Sequence, residues 1–161
     1  MARWMWVMAA LVACSGDDGE MVEPGTCDGG GPLSLELGEG GRSDFVAWSD
    51  GDLLIAEDFG GVFSVYVELF SSGLDTREPV TAVVRMSVDG GPTTDAIGQQ
   101  QLQCDEEVGN GWTGVFAPLP DELQDAASVE AAEGAPVVLT ATLTDVDGEA
   151  ATAEISGVLS Y

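Results

Sequence analysis

Alternation of apolar and polar residues with a period of two is the feature that most narrows what this chain can fold into. From Val80 to Val88, the residues Val80, Ala82, Val84, Met86 and Val88 fall on one side and Thr81, Val83, Arg85 and Ser87 on the other. Successive side chains of a strand point to opposite faces, so such a run buries one face and leaves the other wet. The pattern recurs. Leu33, Leu35 and Leu37 alternate with Ser34 and Glu36, and Phe63, Val65, Val67 and Leu69 with Ser64, Tyr66 and Glu68. Val137, Leu139, Ala141 and Leu143 alternate with Val138, Thr140, Thr142 and Thr144, while Ala151, Ala153, Ile155 and Leu159 share a face of the last run. Weaker candidates lie at 44–48, 53–57, 99–104 and 112–116. Seven to nine short strands, each with one apolar face and separated by turns rich in Gly and Asp, predict an all-β fold, an antiparallel two-sheet sandwich. The segment 120–133 offers only Leu123, Ala126, Ala127 and Val129 as a thin apolar stripe, which reads as a surface loop with a turn or two of helix.

Charge narrows the function classes. The chain carries 29 Asp+Glu against 4 Lys+Arg and no His, a formal net charge of −25. Acidity of this order accompanies disorder when apolar residues are scarce, but here 45% of residues are hydrophobic, enough for a core. The cations are Arg3, Arg42, Arg77 and Arg85, with no lysine. Nucleic-acid affinity comes chiefly from Lys and Arg contacts with phosphate, so no nucleic-acid partner is expected. Without His or Lys, most general-base, Schiff-base and His-assisted nucleophile mechanisms lose their usual groups. G-x-S-x-G, phosphate-loop and zinc-ligand spacings are missing as well, so the chain is not expected to be an enzyme.

The N-terminus differs in kind. Arg3 is followed by ten uninterrupted apolar residues, Trp4 to Ala13, and then by Cys14-Ser15-Gly16-Asp17-Asp18. Ten residues are too few for a bilayer span, which needs roughly twenty, whereas a charged start, a short apolar core and small residues make an export signal. Leu11-Val12-Ala13-Cys14 resembles the lipobox of bacterial lipoproteins. The resemblance implies cleavage before Cys14 and acylation of that cysteine. Acyl chains would supply the membrane affinity that a polyanionic surface lacks, roughly 0.8 kcal/mol for each buried methylene. Ser15 after the cysteine, by the family's sorting rule, leans toward the outer membrane. The chain therefore divides into a signal peptide at 1–13, a flexible acidic Gly-rich tether at 14–32 ending in Gly29-Gly30-Gly31-Pro32, and a sandwich domain at 33–161. With Cys14 lipidated, Cys27 and Cys104 remain, either as a disulfide in an oxidising compartment or as two free thiols. The disulfide would close a loop of about 77 residues and constrain the unfolded chain by about 4 kcal/mol.

A second resemblance lies in the strands. Residues 135–150, a strand ending in Thr144-Asp145-Val146-Asp147-Gly148 with the next beginning at once, look like the closing hairpin of bacterial immunoglobulin-like domains. Phe59-Gly60-Gly61-Val62-Phe63 before a strand is similar to lipoproteins of environmental, high-GC bacteria. The implied fold is an immunoglobulin-like sandwich, which by itself says little about function.

The candidate sites follow. Asp145, Asp147 and Glu149 place three carboxylates at alternate positions around Gly148, which resembles the start of a Ca²⁺ loop, with Asp50 or Asp52 as further oxygens. The same residues also read as a two-residue hairpin turn, with Asp147-Gly148 in the positive-φ positions of type I′. Asp105, Glu106 and Glu107 form an acidic run that reads as a solvated loop; a glycosidase would require two carboxylates about 5–10 Å apart in a cleft. Trp112, between Asn110-Gly111 and Thr113-Gly114, reads either as loop-exposed and suited to ligand contact or as packing over the Cys27–Cys104 link. Taken together, the residues point to a lipid-anchored binding or structural module at the outer envelope, its partner an unidentified protein or polysaccharide. The alternatives are a calcium-dependent surface interaction protein, with Ca²⁺ as its ligand, and a carboxylate hydrolase acting on polysaccharide.

Overall fold

The computed structural model describes residues 32–40, 44–105 and 110–161, with the side chains at 104, 105 and 110 left out of the description. The described residues form ten strands: β1 (Ser34–Glu39), β2 (Val46–Ala47), β3 (Leu53–Asp58), β4 (Phe63–Ser72), β5 (Val80–Val88), β6 (Thr93–Gln100), β7 (Gln103–Asp105), β8 (Asn110–Pro118), β9 (Pro136–Thr144) and β10 (Ala150–Ser160). One 3₁₀ turn, Asp121–Leu123, and one short helix, α1 (Ala126–Ala131), sit between β8 and β9. The fold is an all-β sandwich, with two strands, β2 and β7, reduced to two and three residues.

One layer runs β2-β1-β4-β8-β7 and the other β10-β9-β5-β6. The alternation that marked the strands is the alternation of burial. Val80, Ala82, Val84, Met86 and Val88 of β5 and Val137, Leu139, Ala141 and Leu143 of β9 are all buried, and they face the inward residues of β4, Phe63, Val65, Val67 and Leu69. The register of β5 on β9 pairs Met86 with Leu139 and Ala82 with Leu143, so directly opposed residues contribute to the same core face.

One pairing departs from the antiparallel expectation. β3 belongs to both layers: Leu53, Leu54 and Ile55 run parallel to Val158, Leu159 and Ser160 of β10, and Ala56, Glu57 and Asp58 then run antiparallel to Val65, Ser64 and Phe63 of β4. A strand that changes sheets halfway turns two layers into one curled, mixed sheet. The opposite side is also drawn together, because Thr94 Oγ1 of β6 donates to the Pro118 carbonyl of β8 at 2.7 Å.

The strand β6 was foreshadowed only at its C-terminal end. Thr93-Thr94-Asp95-Ala96-Ile97-Gly98-Gln99-Gln100 has no apolar face, and β6 forms because the preceding turn folds it back on β5, from Ser87↔Thr93 to Val80↔Gln100. Asp89 and Gly90 in that turn have φ of 51° and 67°, the two positive angles of a type I′ turn closed by Gly91 N–H to Val88 O at 2.9 Å. The β9–β10 hairpin, where type I′ geometry was expected at Asp147-Gly148, is built differently. Only Gly148 has positive φ, at 88°; Gly148 N–H bonds Asp145 O, and Asp145 N–H bonds Glu149 O. That is a three-residue loop, a type I turn followed by a glycine bulge.

Between β8 and β9, Val129 of α1 is fully buried, and Asp125 caps the helix by accepting from the Ala127 and Ser128 amides at 3.1 and 3.0 Å. Gln124 behaves as a fragment of strand: its Oε1 accepts from Phe63 N–H at 2.8 Å and its Nε2 donates to the Phe63 and Leu119 carbonyls at 3.2 and 2.6 Å. Among the described residues no helix is long and apolar enough to cross a membrane.

Candidate functional site

β4 is buried on both faces, which a strand at the surface of a two-layer fold has no need to be. Its inner side belongs to the core. Its outer side is covered by aromatic rings supplied by three other segments, and the register explains how. β4 pairs with β8 so that Tyr66 lies opposite Phe116, Glu68 opposite Gly114, and Phe70 opposite Trp112. Opposed residues share a face, so Tyr66, Phe70, Trp112 and Phe116 line up on the outside of the sheet.

At one end of this face Phe59, from the β3–β4 turn, lies 4.1 Å from Phe116 between ring centroids, and Phe116 lies 5.0 Å from Tyr66, both pairs tilted by about 50°. Phe59 and Phe116 remain 39% and 46% exposed, unusual for rings of this size. Together with Glu57 and Gly114 they line an open hollow of about 440 Å³. Gly114 is required there, since a Cβ at that position would overlap the Tyr66 hydroxyl. At the other end Phe45 stacks on Phe70, with centroids 5.1 Å apart and planes at 22°.

Between the two ends sits Glu68, only 4% exposed, accepting from Tyr66 Oη at 2.7 Å. Burial, the bond to Glu68 and the adjacent negative charge together push the Tyr66 phenol up to about 12, from its ordinary 10. The phenol therefore stays protonated and donating. Among the described residues no cation lines the hollow: Arg77 is clamped by Asp75, whose carboxyl the guanidinium and the Arg77 amide hold down at about 2, and Arg85 lies 3.4 Å from Asp95.

Trp112 stands in β8 and is half-buried, with Gln103 of β7 on its other side. Its indole Nε1 is buried and has no hydrogen-bond partner among the described residues. Cys14 and Cys27 lie outside the described residues, as do Glu106 and Glu107; Cys104 is placed in β7 as backbone. The anchor and the disulfide therefore remain expectations.

Of the candidate calcium ligands, Asp145, Asp147 and Glu149 share one turn, and Asp50 and Asp52 lie in another loop. Asp145 is buried and its carboxylate is already engaged by backbone, Oδ1 accepting from the amides of Asp147 at 3.0 Å and Glu149 at 2.9 Å, Oδ2 from that of Asp75 at 3.2 Å. Asp147 and Glu149 are exposed. Asp50 accepts from Ser156 N–H and Asp52 from Ser49 N–H, tying the β2–β3 loop to β10. Ser156 is six residues along β10 from Ala150, roughly 20 Å at about 3.3 Å per residue, so this loop and the Asp145 turn do not meet. Among the described residues no three His, Cys, Asp or Glu side chains converge as metal ligands do.

The aromatic face was legible in part. Tyr66 and Phe70 are four apart on one strand and Trp112 and Phe116 four apart on another, a spacing that antiparallel pairing brings into register. What the sequence could not supply was the pairing of those two strands, or the turn that brings Phe59 over them.

No protein-family model matches the chain, and no curated protein matches it. Two solved structures are similar in outline. One, a crystal structure of a Br derivative of BhCBM56, is 14% identical, covering 64% of this chain and 97% of that one, with a TM-score of 0.28. The other, the N-terminal domain of PorA, is 7% identical, covering 78% and 97%, with a TM-score of 0.29. At these TM-scores neither likeness carries an argument about function.

Proposed function

We propose that the protein is a lipid-anchored binding or structural module of the outer cell envelope, presenting a β-sandwich on an acidic tether. The observation that carries the binding role is the exposed aromatic face of β4 and β8, where Phe59 and Phe116 lie open to solvent beside an open hollow into which Tyr66 fits only because residue 114 is glycine. Exposed contiguous aromatic surface is unfavourable in water and marks sites of contact. The Leu11-Val12-Ala13-Cys14 segment supports the anchor, and the net charge of −25 supports a partner other than nucleic acid or an anionic lipid surface.

Two measurements test this reading. Wild-type protein should fractionate with membranes and Cys14→Ala with the soluble phase; membrane retention of the variant would refute the anchor. Cross-linking in cells followed by mass spectrometry should recover envelope components, with yields that fall in Phe116→Ser. Recovery of nothing, or equal recovery from both proteins, argues against binding through this face.

A further inference from the structure

Resting on the binding-module reading, we infer that the Phe59, Tyr66 and Phe116 hollow seats a pyranose ring of a neutral polysaccharide.

Ring geometry supplies the first step. Phe116 touches both Phe59 and Tyr66, with centroids 4.1 and 5.0 Å apart and each pair tilted by about 50°, so the rings form an angled apolar wall. The apolar face of a sugar ring can lie on the exposed side of Phe59 or Phe116. A cation held over a ring face within about 6 Å is the competing occupant, and the salt dependence of retention separates the two.

The polar lining supplies the second step. Glu57 is the charged group at the hollow, and an ionised carboxylate accepts hydrogen bonds without donating any. The Tyr66 hydroxyl is committed to Glu68. A ligand here must therefore offer hydroxyl donors. An anionic ligand finds no partner there, because among the described residues no cation lines the hollow and Arg77 and Arg85 are paired with Asp75 and Asp95. Phosphorylated, sulfated and uronic-acid ligands fail on that count, and so do stacked nucleotides. A neutral sugar meets every condition: its ring carries axial C–H groups on one face, which pack on aromatic π-faces, and hydroxyls around its edge.

The third step concerns length. The hollow is open and Phe59 and Phe116 stand exposed at its rim, so the sugar seated there can belong to a longer chain running over the surface.

Full-length protein in detergent is tested by co-sedimentation with microcrystalline cellulose and insoluble β-1,3-glucan, and by retardation in gels containing amylopectin or galactomannan. Polygalacturonate serves as the anionic control and chitosan as the cationic one. The expected result is retention by a neutral polysaccharide that is unchanged in about 0.5 M salt, where surface charge is screened. Retention should fall at least about tenfold, ~1.4 kcal/mol, in Phe59→Ser and in Phe116→Ser. Glu57→Gln, which removes no ring and fills the same volume, should weaken it as well. Retention by none of the four neutral polysaccharides overturns the inference, as does equal retention of all three variants. Retention by chitosan alone that salt abolishes would assign the face to a cationic ligand instead. If cross-linking in cells still recovers envelope components through Phe116 while all four polysaccharides fail, the sugar assignment falls and the binding-module reading stands.

Discussion

The Tyr66 hydroxyl ends 2.7 Å from Glu68 Oε1, and that contact decides how the outer face responds to pH. A phenol pushed up to about 12 in the folded state and ionising near 10 when unfolded makes a contribution to stability that is complete below pH 10 and is lost as pH rises through 12. Absorbance titration near 295 nm should therefore show a tyrosine step close to pH 12 that Tyr66→Phe abolishes; a Tyr66 step at pH 10 would mean that the phenol is not held by Glu68. Tyr66→Phe should also destabilise by about 1–3 kcal/mol, since Glu68 is buried and would lose its donor. At this scale the sequence was a partial guide. It placed Tyr66 and Glu68 on the polar side of their strand, and so on the surface, because alternation assigns faces but not what lies over them. Glu68 is buried by rings that arrive from distant segments, which no local pattern records.

Among the elements, the hairpin at Asp145 shows why acidic turns in this chain need not be cation sites. One carboxylate gathers three amides, two within its own turn and one from the β4–β5 loop, and so stitches two loops together. Asp145→Ala should cost about 2–4 kcal/mol in chemical denaturation, as three part-buried amides lose a charged acceptor. The thermal midpoint of the wild type should be the same in EDTA and in millimolar Ca²⁺; a rise with Ca²⁺ that Asp145→Ala removes would favour the calcium reading. Gln124 carries the parallel prediction for the β8–β9 connection. Its amide satisfies both backbone groups of Phe63, and Gln124→Ala should destabilise by about 1–3 kcal/mol while Gln124→Glu, which cannot donate to the two carbonyls, should do no better. Elements with an apolar face were legible, β5 to the residue and β9 to within one. β6 was not, because a strand held by its neighbour and its turn needs no apolar stripe of its own.

For the whole molecule, the alternating runs foretold a sandwich but not the manner in which its two layers join. The junction is β3, whose first three residues belong to one layer and last three to the other, and it depends on close approach at one point. A Cβ on Gly157 of β10 would come within 2.8 Å of the Asp52 carbonyl and 2.9 Å of Leu54 Cγ, so only glycine lets the two strands lie side by side there. Leu54 itself is fully buried. Gly157→Val should push β3 away from β10 and loosen the packing of Leu54, at a cost of about 1–3 kcal/mol. The site offers a sharper readout than stability. Phe59 reaches Phe116 because it follows β3 directly, so a displaced β3 should carry Phe59 off the aromatic face. Amide exchange in β3 should quicken in Gly157→Val while β5 and β9, paired along their whole length at the centre of the other layer, stay protected. If exchange rises equally in all three strands, the layers unfold as one unit and the junction has no separate role. If it rises in β3 alone, the aromatic face is held in place by a glycine on the opposite layer, and binding through Phe59 should weaken in Gly157→Val without any change to the residues of the hollow.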